Sequence, residues 1–215
     1  MPFKLLIAAL IGAVLTKGYV LNAKVTTAPQ KDGMPSFDCN KANGQNEVLI
    51  CSNPKLAAMD AGIAMLYRTA VAVNPSIRAE QRKWVLRREG CTEIECLLDA
   101  HEGRLEALLF QNKAVLTFKA PNVTGTLKII NIFTDVYGFA AKAYWGRGDN
   151  VHDGSSVGVV HLVNGQGKST DSVGCDVTLT KIKSGSWSVV QGDSCQQGVN
   201  VTLTGVYHPF NPSGR

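Results

Sequence analysis

From Leu56 onward, apolar side chains recur at three- and four-residue steps: Leu56, Met59, Ile63, Leu66, Tyr67, Ala70 and Val73. That spacing is the period of a helix with one face turned inward. Ser52-Asn53-Pro54 marks its start, a capping residue followed by a proline whose missing N–H costs nothing in a first turn. Before it, Asn43-Gly44 turns the chain, and Gln45 to Cys51 is long enough for about two helical turns. Asn74-Pro75-Ser76 interrupts the stripe. A helix from about Pro75 to Glu89 then places Ile77, Gln81, Trp84 and Arg88 on one side. Gly90-Cys91-Thr92 breaks the chain again, and Thr92 with Glu95 has the spacing of a capping box. The helix that follows turns Leu97, Leu98, His101, Leu105 and Leu108 inward. Residues 36–112 are therefore expected to form a small helical bundle of three longer helices and one short one.

After Gln111-Asn112 the period changes. Segments 115–118, 126–132, 137–145, 156–163, 175–182, 186–191 and 199–207 are short and rich in Val, Ile, Thr and aromatics. Gly, Asn, Asp and Ser separate them, and Asn164-Gly165 is a strong hairpin signal. Seven strands without intervening helix predict an antiparallel β-sandwich or small barrel over 113–215. The expected fold class is α+β in two domains, separable near Gln111 to Ala114.

The N-terminus changes the setting. Lys4 precedes the apolar run Leu5 to Leu15, and no acidic residue appears before Asp32. This is the order of a secretory signal, and the run falls short of the roughly 20 residues that span a bilayer. We expect a signal peptide over 1–23, ending at Leu21-Asn22-Ala23, then a flexible lead-in over 24–35 carrying Thr26, Thr27, Pro29, Gly33 and Pro35. No cysteine follows the apolar run to carry a lipid, so the expected location is periplasmic or secreted, without a membrane span.

Six cysteines in an exported chain point to disulfides rather than to metal or catalytic thiols. They fall into three clusters, Cys39 with Cys51, Cys91 with Cys96, and Cys175 with Cys195. The bend at Asn43-Gly44 returns Cys39 beside the short helix. A hairpin centred on Ser184-Gly185 sets Cys175 and Cys195 equally far from its tip. No pair of CxxC motifs or paired histidines suggests zinc.

Formal charge is +5; losing Lys4 and Lys17 with the signal leaves 5 − 2 = +3. The basic run Arg82, Lys83, Arg87 and Arg88 reads as the solvated side of a helix, so nucleic acid is not an expected partner.

Between Ser36 and Leu109 the chain carries Phe37-Asp38-Cys39, Ile50-Cys51, Leu56 with Asp60, Tyr67, Gln81-Arg82-Lys83-Trp84, Arg88, Cys91, Cys96-Leu97 and Arg104. In order and spacing this third of the chain resembles the lysozyme-inhibitor LprI-like N-terminal family of bacterial envelope proteins. The closing Gly205-Val206-Tyr207 is similar to the end of small β domains that accompany that family. The resemblance implies a binding protein whose partner is lysozyme. The chain departs from the family's lipoprotein pattern in lacking the lipid-bearing cysteine.

Candidate chemistry adds little catalysis. Asp60 and Arg88 are single polar positions in apolar stripes and are expected to pair with each other across two helices. His101, His152, His161 and His208 form no HxH or HExxH motif, no serine sits in GxSxG, and paired cysteines are not nucleophiles. No enzyme activity, cofactor or metal is expected. The tripeptide Arg147-Gly148-Asp149 and the sequons at Asn122 and Asn200 are short enough to arise by chance. Two surfaces stand out for partner binding. Glu95, Asp99, Glu102 and Glu106 recur at steps of four, three and four on one helix face, an acidic stripe suited to a cationic partner such as lysozyme. The polar, Gly-rich loop Trp145 to Ser155 carries Arg147 and His152, donors suited to the paired carboxylates of a glycosidase cleft. The alternative to a lysozyme inhibitor is an envelope accessory module that binds another protein or peptidoglycan.

Overall fold

The computed structural model describes residues 33–113, 116–119, 124–147, 150–183 and 185–210. The expected signal peptide and most of the lead-in lie outside the described residues. The last lead-in residues are anchored: Pro35 is buried, and the Ser36 amide donates to Asp60.

Among the described residues four α-helices come first: α1 (Gln45–Ser52), α2 (Pro54–Val73), α3 (Ile77–Glu89) and α4 (Ile94–Gln111). Asn53 caps α2 as expected, its Oδ1 accepting from the Leu56 amide at 3.1 Å with Pro54 in the first turn. The expected capping box at Thr92 is not used. Glu93 is the N-cap of α4 and makes no side-chain cap bond, because the short Cys91–Cys96 staple sets the chain's path into the helix. Likewise α3 begins at Ile77 rather than Pro75, since Asn74 Oδ1 takes the Ser76 amide in a local turn instead. α2 is apolar almost all round, buried without a break from Leu56 to Ile63. A helix of that kind has neighbours on every side.

Eight antiparallel strands follow: β1 (Leu116–Lys119), β2 (Thr124–Phe133), β3 (Val136–Arg147), β4 (Asn150–His161), β5 (Gln166–Thr170), β6 (Asp176–Lys181), β7 (Trp187–Gln191) and β8 (Gly205–Pro209). Their order is β4-β3-β2-β1-β8-β7-β6-β5, a meander in which β8 returns to pair β1 and the sheet curls into a nearly closed barrel. Phe118, Leu127, Phe139, Val177, Leu179, Trp187 and Tyr207 fill its interior. The seam lies between β4 and β5. A two-residue turn joins them, with Asn164 and Gly165 at φ 53° and 82°, yet only the bridge Val163↔Gln166 pairs them.

Two differences from the expected strands have a common cause. β5 and the first half of β4 contain almost no β-forming apolar residues; the first lies outside every expected strand and the second falls in the expected loop Trp145 to Ser155. They are strands because β6 and β3 template them, from Gln166↔Thr180 to Thr170↔Asp176 and from Arg147↔Asn150 inward. Conversely, 199–204 is irregular, although Val201 and Leu203 still enter the barrel core.

The helices do not stand apart from the barrel. Met59, Ile63, Leu105, Leu108 and Leu109 share one hydrophobic cluster with Ala140, and Ile130, Val157 and Val159 pack against it from the outer face of β2–β4. Gly62 permits this approach: a Cβ there would meet Ile132 Cδ1 at 2.8 Å. The switch from helix to strand falls where the sequence pattern changes, but packing is continuous across it.

All three expected disulfides are present, Cys39–Cys51, Cys91–Cys96 and Cys175–Cys195. They are compatible with an oxidising extracellular or periplasmic environment.

Candidate functional site

The polar residues of the helical half converge on Asp60. It is 3% exposed and accepts from the Ser36 amide at 2.8 Å and from Arg88 Nη1 at 3.1 Å. The second contact is the ion pair expected between α2 and α3. Arg88 also lies over the Trp84 ring, at 5.0 Å from its centroid, and Trp84 Nε1 donates to the Ala100 carbonyl. Burial works to raise the Asp60 pKa. His101 and the Ser36 donors outweigh it, holding the carboxyl below its ordinary value. His101 Nε2 is 3.9 Å from Asp60 Oδ1, so its help is attraction across a gap rather than a formed hydrogen bond. This cluster is closed to solvent and joins three helices with the incoming chain. Its chemistry is structural.

The acidic stripe does not form one open face. Glu95 and Asp99 are exposed, near the start of α4. Glu102 is 4% exposed and accepts from Lys55 Nζ at 2.9 Å and from the Ser172 amide at 2.8 Å, tying α4 to α2 and to the barrel. Glu106 pairs with Lys142 on β3 at 3.2 Å. Glu102 and Glu106 thus meet cations on α2 and β3. Helical periodicity gave the face correctly but could not show that the barrel covers half of it.

The presumed loop Trp145 to Ser155 is the end of a long hairpin. β3 and β4 stay paired through Tyr144↔Asp153, Trp145↔His152, Gly146↔Val151 and Arg147↔Asn150. Among the described residues they run three pairs past Thr124, where β2 begins opposite Tyr144. Trp145 and His152 form a cross-strand pair with ring centroids 5.7 Å apart, on the face that Ala141 and Ala143 turn into the barrel further down. Trp145 is 44% exposed, and Tyr144 and Val151 are exposed beside it. The Arg147 side chain and residues Gly148-Asp149 lie outside the described residues. Loop 192–204 braces the base of this hairpin. The Gly198 amide donates to the Asp153 carbonyl, Gln197 Nε2 donates to the Ser155 carbonyl, and Cys175–Cys195 fixes the loop to β6. Tyr207, whose hydroxyl donates to Leu203, holds the loop's far end; burial pushes its phenol pKa up to about 12.

The sequence singles out His152 and Arg147 as the donors of the segment that Trp145 opens, and gives no binding role to Trp145 itself or to Tyr144. Their signal was aromatic identity beside a Gly-rich turn, which cannot reveal exposure. Among the described residues no cluster of three or more His, Cys, Asp or Glu side chains is arranged to hold a metal. Comparison with protein-family models, with curated proteins and with solved structures finds no match for this chain.

Proposed function

We propose that this chain is an exported envelope protein that acts by binding, and that its target is a lysozyme-type muramidase whose cleft it blocks. The observation that carries the reading is the braced β3–β4 hairpin with Trp145 and His152 paired across it near the end of its described strands. A muramidase cleft is shaped for sugar rings and holds two carboxylates. An exposed indole fits a sugar-shaped subsite, and a histidine beside it supplies a donor to a carboxylate. The hairpin is pre-ordered by continuous pairing, so little conformational entropy is lost on insertion. The ordered match of residues 36–109 to the LprI-like pattern supports the same target. The export signal expected at 1–23 puts the protein where such an enzyme would meet it.

The reading is tested by titrating the purified protein against lysozyme acting on cell-wall substrate. Inhibition is expected to be stoichiometric and to weaken at least tenfold when Trp145 and His152 are both changed to Ala. Absence of inhibition by the unaltered protein refutes it. The second reading, an accessory module for another envelope protein, draws on a different surface. Tyr67, Val85 and Leu86 line an open groove of about 330 Å³ rimmed by Arg78 and Arg82, with Leu86 69% exposed.

A further inference from the structure

At the opposite end of β4 from the hairpin tip, the barrel seam opens onto a cavity of about 440 Å³ beneath the start of α2. Its walls are of two kinds. Phe133 and Val136 from the β2–β3 turn and Val159 from β4 form an apolar side. Lys55, Lys168 and Ser169 form a polar one, and no acidic side chain is among the lining residues described. The volume is within the range of small-molecule sites, roughly 300–1,000 Å³.

The two ammonium groups retain donors. An ammonium has three. Lys55 engages Glu102 and the Thr170 carbonyl, and Lys168 engages Asp176 at 2.8 Å. One donor on Lys55 and two on Lys168 therefore stay open among the described residues. Asp176 shares Lys168 from outside the cavity: the lysine's hydrogen bond, with that of Thr170, keeps its pKa below the ordinary value, so it is ionised at neutral pH.

We propose that this cavity binds a small amphipathic carboxylate, a medium-length acyl chain ending in –COO⁻. The chain lies against Phe133, Val136 and Val159, where each buried methylene contributes about 0.8 kcal/mol. The carboxylate accepts from the Lys55 and Lys168 ammonium groups. The apolar wall without the cations would take a neutral alcohol equally well; the cations without the wall would take acetate. The pairing of the two selects a ligand that carries both parts. Val160 stands nine positions along β4 from Val151, about 30 Å at strand rise, so this site is independent of the hairpin and of the proposed inhibition.

Titration calorimetry of the full chain with sodium decanoate tests it, with decanol and butyrate as comparison probes. The expected result is one saturable decanoate site per chain, at least tenfold tighter than decanol or butyrate. Lys168→Ala, at a side chain already 62% exposed, should weaken decanoate at least fivefold while leaving the melting temperature unchanged. Val136→Trp should abolish it by filling the cavity. Decanoate failing to bind, decanol binding as tightly, or Lys168→Ala binding decanoate like the parent overturns the proposal.

Discussion

His101 faces Asp60 with its Nε2 3.9 Å from the carboxylate, while its Nδ1 lies 2.7 Å from the Leu97 carbonyl oxygen. A carbonyl can only accept, so Nδ1 carries a proton and Nε2 is the ring nitrogen turned toward the acid. Both groups are buried, and Nε2 has no hydrogen-bond partner among the described residues. The Ser36 amide and Arg88 Nη1 make the hydrogen bonds to the Asp60 carboxylate, at 2.8 and 3.1 Å.

Asp60→Asn should cost roughly 2–4 kcal/mol at pH 7, because it removes one partner of a buried pair and leaves Arg88 uncompensated. The folded pKa of Asp60 lies below its ordinary 3.8. Its contribution is therefore fully present above that value and disappears as pH falls through the lower, folded one. Denaturant unfolding from pH 7 down to about pH 2 should show the deficit of the variant shrinking only below about pH 4. A deficit independent of pH would mean that Asp60 acts through shape and not through charge.

Gly62→Val should destabilise the whole chain by about 1–3 kcal/mol through overpacking against Ile132 and Leu105. The loss should appear equally when unfolding is followed by helical circular dichroism and by tryptophan fluorescence. For the same reason a fragment ending at Lys113 should bind hydrophobic dye and self-associate, since it exposes the α2 and α4 residues that cover Ala140. A monomeric, dye-silent fragment would show that the bundle stands alone after all.

Changing Cys175 and Cys195 together to Ser should cost about 3 kcal/mol, from reopening a loop of 20 residues. Opening Cys91–Cys96, a separation of 5, should cost less, about 2 kcal/mol on the same scaling. Thermal unfolding of the two double variants ranks them, and the reverse order would contradict the chain-entropy account.

If lysozyme is the target, ionic strength separates the two candidate surfaces. An exposed charge pair is screened within about 8 Å at physiological salt. Glu95→Gln with Asp99→Gln should leave inhibition nearly intact, whereas Trp145→Ala should raise the off-rate at least tenfold with little salt dependence. Inhibition lost through the two carboxylates, and unaffected by Trp145, would return the binding role to α4.

How far the sequence could be read depended on how local each determinant is. The Asn53 cap, the stripe on α2, the Asn164-Gly165 turn and the cysteine partners are set by residues near one another, and all are visible in the sequence. β5 and the start of β4 were not, because Gln166-Gly167-Lys168-Ser169-Thr170 becomes a strand only once β6 lies beside it. The same limit applied to α4: its acidic face was legible, but its division between solvent, at Glu95 and Asp99, and interface, at Glu102 and Glu106, depends on a barrel encoded further along the chain.

The incomplete seam gives the barrel two strand edges, and an unpaired edge invites pairing with another chain. Here the edge carbonyls are occupied one at a time: Asp153 by the Gly198 amide, Ser155 by Gln197, Thr170 by Lys55. Gly167 admits the His161 carbonyl so closely that no further strand fits between, since even a Cβ would stand 2.3 Å from that oxygen. The seam is therefore insulated against fibril-type growth. Lys55 gives the helical half a share in that protection, so damage to the bundle should surface first as aggregation of the barrel.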